Sequence, residues 1–422
     1  MAKNIIFYGA PGTGKTYHMQ KQIEKYTDYI IEDKYIKSAY ILESNDWLLI
    51  SLIILQNNNP MSSSDIAAKV SKLDLKYDGT ISDVLEEHNI YDSKKGLARR
   101  QPRIFFLENG KWFVDRLRLL SYKSNFFKEY MEDGIVERRY DFVTFHQSFT
   151  YEDFVEGIRP SVDDKTKMLE YNPKPGVFKR ICEKAMNNSA KQYALFIDEI
   201  NRGNISEIFG ELISLIELDK REGQYCELEA ILPYSKMAFK VPNNLDIIGT
   251  MNSADKSIAT IDMALRRRFD FEMFTCDYVA LEKAIALKGI DAHSIGSVDV
   301  IKLLKVINKR IELLLGTDYI IGHAYFMKVE TGDEIIAVVL KKILPLLEEY
   351  FFDDLQKVQM VFNDIDENGA LHKDAIYRHT ELEPDKLLTF VGDYTIESKK
   401  VYSISENVSI RGIIKVYEGV SI

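Results

Sequence analysis

Gly9-Ala10-Pro11-Gly12-Thr13-Gly14-Lys15-Thr16 sets glycines, a lysine and a hydroxyl into one short loop, directly after the apolar run Ile5-Ile6-Phe7-Tyr8. Glycines allow a turn tight enough for backbone N–H groups to converge on phosphate oxygens. Lys15 adds a charge for the β/γ oxygens, and the Thr16 hydroxyl is a ligand for Mg²⁺. A second apolar run, Tyr193-Ala-Leu-Phe-Ile, ends in Asp198-Glu199. Asp198 can hold Mg²⁺ through water, and Glu199 can polarise the attacking water. In a third run, Leu245-Asp-Ile-Ile-Gly-Thr-Met-Asn252, the Asn252 amide can donate to a γ-phosphate and orient that water. Arg266-Arg267-Arg268 closes a short helix, and adjacent fixed charges there call for an anion. Binding and hydrolysis of a nucleoside triphosphate is the chemistry these types and spacings imply.

Such residues need a scaffold that holds loop tips side by side. Strand signals recur at 4–8, 141–145, 193–197, 245–250 and 269–274, with helical periodicity between most of them, including a helix over 17–31. The alternation predicts an α/β fold, a parallel sheet sandwiched by helices. The stripe Ile205, Ile208, Phe209, Leu212, Ile213, Ile216 has helical spacing and is expected to be core. More than a hundred residues separate the first helix from the second strand, so a module is inserted there. It reads as helices over 47–55, from the Ser62–Ser64 cap to 73 and over 80–88, then strands over 103–107 and 111–114 around an Asn109-Gly110 turn. That is the order of a winged helix. The resulting division is 1–40 and 126–275 for the two parts of the core, 41–125 for the insert, 276–360 for a helical lid and 361–422 for a small β-containing extension, with strands at 400–404 and 413–417.

The 422 residues carry 55 basic against 65 acidic side chains, a net charge of −10, so any nucleic-acid contact must come from a local patch. Cys182, Cys226 and Cys276 lack metal-ligand or CxxC spacing and read as buried thiols of a reducing compartment. The longest apolar run, 47–55, is far short of the roughly 20 residues that span a bilayer. These signs predict a cytoplasmic protein with no membrane contact.

The phosphate loop, Asp198-Glu199, Asn252 and the arginine triplet, in this order, resemble an AAA+ module. Finer wording resembles the McrB family, motor subunits of modification-dependent restriction systems: Thr144-Phe-His-Gln-Ser-Phe-Thr-Tyr-Glu-Asp-Phe-Val-Glu-Gly157, Asp198-Glu-Ile-Asn-Arg202-Gly-Asn, Leu232-Pro-Tyr-Ser-Lys236 and Met251-Asn-Ser-Ala-Asp255-Lys-Ser257. The likeness covers roughly 1–40 and 138–360. Family members usually have Thr and Arg where this chain has Ser253 and Lys256. The resemblance implies GTP rather than ATP as substrate, although related AAA+ proteins use ATP, together with a hexameric ring and a separate McrC-like nuclease subunit; Mg²⁺ is the expected cofactor and DNA an expected partner. It assigns Asp255 to positioning the water and Arg267 and Arg268 to action in trans on a neighbour's nucleotide.

That family usually has an N-terminal DNA-reading domain, whereas the first strand here begins at Asn4, so either target recognition is missing or the insert supplies it. Its stretch 94–123 carries Lys94, Lys95, Arg99, Arg100, Arg103, Lys111, Arg116, Arg118 and Lys123 against Glu108 and Asp115. Contact with phosphate backbone, contact with a protein and a structural role all stay open. His323 in Gly322-His-Ala-Tyr-Phe326 stands where an AAA+ lid residue senses nucleotide. His146-Gln147 reads as a hydrogen-bonded structural pair. Pro384-Asp385 with Glu397-Ser-Lys399 has the residue types of a metal-dependent nuclease core, in a tail too small for that fold. Two other functions fit the same motifs: an ATP-dependent protein remodeller of the MoxR or dynein-related kind, and a nucleotide-switched binding module.

Overall fold

The structure, a computed structural model, describes residues 2–91, 97–122, 136–162, 169–255, 263–389 and 396–421. Five strands form the central sheet: β1 (Asn4–Gly9), β2 (Tyr140–Thr144), β3 (Tyr193–Asp198), β4 (Leu245–Asn252) and β5 (Asp270–Met273). Their order is β5-β1-β4-β3-β2, and every neighbouring pair is parallel. Apolar side chains line both faces, as a sheet covered on both sides requires. Leu195 and Ile197 of β3 pack with Phe178, Ile181 and Phe209 on one face. On the other face Ala194 and Phe196 pack with Met19, Tyr26 and Ile248.

Helix α1 (Lys15–Ile23) is shorter than the periodicity predicts. It ends in a 3₁₀ turn, Glu24–Tyr26, and Thr27–Tyr29 becomes a strand antiparallel to Val136–Arg138. The β-branched and aromatic residues Thr27 and Tyr29 gain more from that ladder than from another helical turn. Arg139 clamps this stalk, its Nε and Nη2 each 2.9 Å from the Asp28 carboxylate.

Beyond the stalk, the insert has its own core. Trp47 through Leu55 are all buried in the helix Asp46–Asn57, which is apolar on every side because its neighbours surround it. Helices Asp33–Glu43, Ser63–Lys72 and Ile81–Glu87 pack with it, followed by the hairpin Phe105–Glu108/Lys111–Val114 and the helix Arg116–Tyr122. Ser62 and Asp65 form a capping box, and Asn109 and Gly110 turn the hairpin at φ 51° and 75°. Met61 bridges to Trp112, adding one rung to the hairpin's outer strand. Two helices not read from the sequence therefore flank the three-helix and hairpin order.

Gly210, at φ 51°, breaks the helix after the acids at Phe209, yet Ile205, Ile208, Phe209, Leu212 and Ile216 are buried as expected. In the lid, Val300–Leu314 is the long helix, and its core takes in Ile376, Tyr377, Ile413, Val416 and Tyr417. The segment expected as a strand at 413–417 is a helix, Ile410–Tyr417, capped by Ser409. Ile413, Val416 and Tyr417 lie at spacings of three and four, so a helix buries all three at once against the lid. The tail is thus part of the lid core rather than a separate β unit, although Lys399–Ile404 is a strand as read. Cys182 and Cys276 are buried, but Cys226 is exposed in a turn-rich stretch. No helix among the described residues is long and apolar enough to cross a membrane.

Candidate active site

Parallel register brings the three loop tips together. Gly9 at the end of β1 pairs with Asn252 at the end of β4, and Gly249 pairs with Ile197, one residue before Asp198. From Gly9 the chain turns through Ala10, Pro11, Gly12 and Thr13, with Gly12 and Gly14 at φ 77° and 90°, where a side chain would be strained. Thr13 Oγ1 donates to the Ala10 carbonyl at 2.8 Å, tightening the turn. Lys15 is buried and its Nζ donates to the carbonyls of Gly9 (2.7 Å) and Ala10 (2.8 Å). Burial lowers its pKa to about 8, against the opposing pull of Glu199, Asp198 and Asp255. A triphosphate would restore the ammonium, so nucleotide binding at or just above pH 8 is expected to take up protons, and affinity to fall as pH rises further. Calorimetry in buffers of different ionisation enthalpy reads this directly; binding without proton uptake at pH 8.5 counts against it.

Glu199 stands at φ 53°, left-handed backbone directly after the end of β3. Asn252 Nδ2 donates to its Oε1 at 2.7 Å, and Arg202 Nε to its Oε2 at 3.1 Å. Arg202 also reaches Asp255 Oδ2 through Nη2 at 2.8 Å. Thr250 donates its hydroxyl to Asp198 and accepts the Glu199 N–H at 3.3 Å. Four residues named from sequence, Asp198, Glu199, Asn252 and Asp255, are therefore one connected network. Burial raises the Glu199 pKa, and Arg202 offsets part of that rise. Arg202 and Thr250 were not assigned roles from sequence, although both lie inside the quoted motifs. Lys256 and Ser257 lie outside the described residues.

Thr16 is exposed in the first turn of α1. Its hydroxyl and the Asp198 carboxylate are hard oxygen donors of the kind Mg²⁺ takes. Among the described residues no group of three or more His, Cys, Asp or Glu side chains forms a metal cage.

The arginine triplet divides. Arg267 is 68% exposed, with Nη2 3.5 Å from Glu217 Oε1. Arg268 is only 3% exposed and its Nη2 lies 2.9 Å from the same oxygen, inside its own protomer. Of the two arginines expected to act in trans, Arg267 is therefore the exposed one and Arg268 the buried one, followed by the buried Phe269. His323 is buried beside Gly14 and accepts the Asp277 N–H at Nδ1 (3.1 Å). Its neutral tautomer therefore carries the proton on Nε2, and burial lowers its pKa. His146 and Gln147 are exposed, the imidazole edge-on to Phe149 at 5.7 Å. Pro384 starts a short helix and Lys399 a strand, whereas the Asp385 side chain lies outside the described residues.

A phosphate loop between β1 and α1, acids beside the end of β3 and a polar tip on the intervening β4 are the arrangement of a P-loop protein of the AAA+ class. Residues 123–269 match the family model for the AAA domain (dynein-related subfamily), and 299–359 that for the McrB alpha-helical lid domain. The EcoKMcrB subunit of the type IV methyl-directed restriction enzyme of Escherichia coli strain K12 is 36% identical over 237 residues, 54% of this chain and 50% of that protein. The YdiS component of the type II restriction enzyme BsuMI of Bacillus subtilis strain 168 is 27% identical over 269 residues, covering 54% of this chain and 76% of that protein. A RuvB mutant from Thermogota maritima matches 45% of this chain and 52% of its own at 17% identity, with a TM-score of 0.18, too low to bear on the fold. The chain carries a McrB-like AAA+ NTPase, and it spans half the length of the E. coli relative.

Proposed function

We propose that this NTPase hydrolyses GTP, with ATP as the alternative, and that turnover drives DNA translocation or activates a McrC-like nuclease in a restriction or phage-defence system. The network around Glu199, close enough to Lys15 for its acids to shift that lysine's pKa, is the observation that supports turnover most strongly. Glu199 exchanges its Asn252 or Arg202 bond for a water, takes that water's proton as the oxygen attacks the γ-phosphorus, and releases it to solvent after the bond to the β-phosphate oxygen breaks. Lys15 and the Gly12 to Thr16 amides hold the phosphates, and Asn252 orients the water. Thr16, and Asp198 through water, would hold Mg²⁺, which would supply charge neutralisation for the leaving diphosphate. Arg267 of a neighbouring copy, in a ring of six, completes the site.

The helices and hairpin of the insert suit a winged-helix module that reads DNA, with Lys111 exposed on the wing. Its basic stretch is only partly available: Arg116 donates to the Glu24 carbonyl at 3.0 Å and covers the Tyr29 ring, while Arg100 and Arg118 pair with Glu87 and Asp115. Lys94, Lys95 and Lys123 lie outside the described residues.

Steady-state hydrolysis of GTP and ATP, with and without DNA, tests the proposal. GTP-selective turnover that DNA alters supports it. ATP-selective turnover indifferent to DNA moves the reading to a protein remodeller.

A further inference from the structure

The lid grips the outside of the phosphate loop through main-chain hydrogen bonds. Gly322 N–H donates to the Pro11 carbonyl at 3.1 Å, and Ala324 N–H to the Gly12 carbonyl at 3.0 Å. The approach is so close that a Cβ on Gly322 would stand 1.9 Å from Gly12 C, 2.0 Å from its oxygen and 2.3 Å from Thr13 N. Gly322 has no positive φ, so contact rather than backbone conformation demands glycine here. Asn308, buried in the long lid helix, holds the preceding residue by both polarities: Oδ1 accepts Ile321 N–H at 2.6 Å, and Nδ2 donates to Ile321 O at 2.9 Å and to Tyr278 Oη at 3.1 Å. The Tyr325 ring lies against Gly12 from the same side. The backbone carbonyl of Asp318, just upstream, accepts the Ser253 hydroxyl at 3.0 Å, so this lid segment also touches the residue after Asn252.

A trans peptide is planar, with its C=O and the following N–H pointing in opposite directions. Holding the Pro11 and Gly12 carbonyls toward the lid therefore aims the Gly12 and Thr13 N–H groups away from it, into the loop where an anion is received.

We propose that Ile321–Ala324 is a lid strap that presets the phosphate-binding amides of Gly12 and Thr13, with Gly322 as its contact and Asn308 as its anchoring, positioning residue. Lid orientation and phosphate affinity are then one equilibrium: a lid that swings away releases the carbonyls and lets the amides turn. The inference rests on the phosphate-loop reading and goes beyond it, since no side chain of the strap need touch the nucleotide.

The test is equilibrium binding of a fluorescent GTP or ATP analogue with Mg²⁺ to the full chain, its Gly322→Ala variant and its Asn308→Ala variant, with thermal unfolding of each. Gly322→Ala is expected to weaken binding by about 100-fold, and Asn308→Ala by on the order of 10-fold. Asn308→Ala is also expected to shift the amide resonances of Gly12 and Thr13, which a role confined to lid stability would leave in place. Gly322→Ala that folds and binds within about twofold of the parent overturns the strap. If Gly322→Ala does not fold, Asn308→Ala decides the matter: unchanged affinity and unmoved Gly12 and Thr13 resonances overturn it. A parent chain that binds no Mg²⁺–nucleotide removes the phosphate-loop reading itself, a result distinct from either.

Discussion

Glu199→Gln is expected to lower the hydrolysis rate by about 10²–10⁴-fold while nucleotide still binds. The amide keeps the shape and the Asn252 contact but cannot take a proton from water. The carboxylate must be ionised to work, and burial raises its pKa above the ordinary value of 4.5. The rate should therefore fall with decreasing pH through a midpoint above the usual carboxylate range. Arg202 favours the ionised form, so Arg202→Gln should move that midpoint to higher pH. A kcat–pH profile of the parent and the Arg202 variant checks both signs. An Arg202→Gln profile shifted downward, or Glu199→Gln turning over near the parent rate, would remove Glu199 as the base.

The second large effect separates two adjacent arginines. Arg267→Ala should cost about 10³–10⁵-fold in turnover with little change in thermal stability, because the side chain is exposed and its contact with Glu217 is long. Arg268→Ala should instead lower stability by on the order of 1–3 kcal/mol, because it leaves a buried gap and removes a close partner of Glu217. Mixing Arg267→Ala with Glu199→Gln protein is the sharper assay. If the arginine acts across an interface, mixed assemblies contain some sites with an intact base and a neighbour's intact Arg267, and part of the activity returns. No recovery from the mixture, with both variants folded and nucleotide-bound, would place Arg267 outside the neighbouring site.

The middle of the sheet was legible because β1, β3 and β4 are largely apolar runs buried on both faces, and such runs survive without knowledge of their partners. The tips were legible for a related reason: Gly12, Lys15, Asp198 and Asn252 each stand at the end of a strand or in the loop after it, where chemistry is exposed by position. What escaped the sequence depends on distant contact. Thr27–Tyr29 continues a helical pattern until Val136–Arg138 arrives to pair with it. Ile413, Val416 and Tyr417 fit either a strand or a helix until the lid core selects the helix. Arg268 and Arg267 are equivalent letters; what separates them is burial beside Glu217, about fifty positions away. Gly322 looked like the preface to a histidine, and its need for glycine is visible only against Gly12.

The helix Ile410–Tyr417 inside the lid core has a practical consequence. A fragment cut after the lid match ends at 359 would remove Ile376, Tyr377, Ile413 and Val416 from a shared interior, so it should aggregate rather than report on the lid. Conversely, a dye attached in the turn after Tyr417 is fastened to the lid and not to the sheet. Paired with a second dye at the exposed Cys226, it would read whether the lid turns when nucleotide is added, without disturbing any residue of the site.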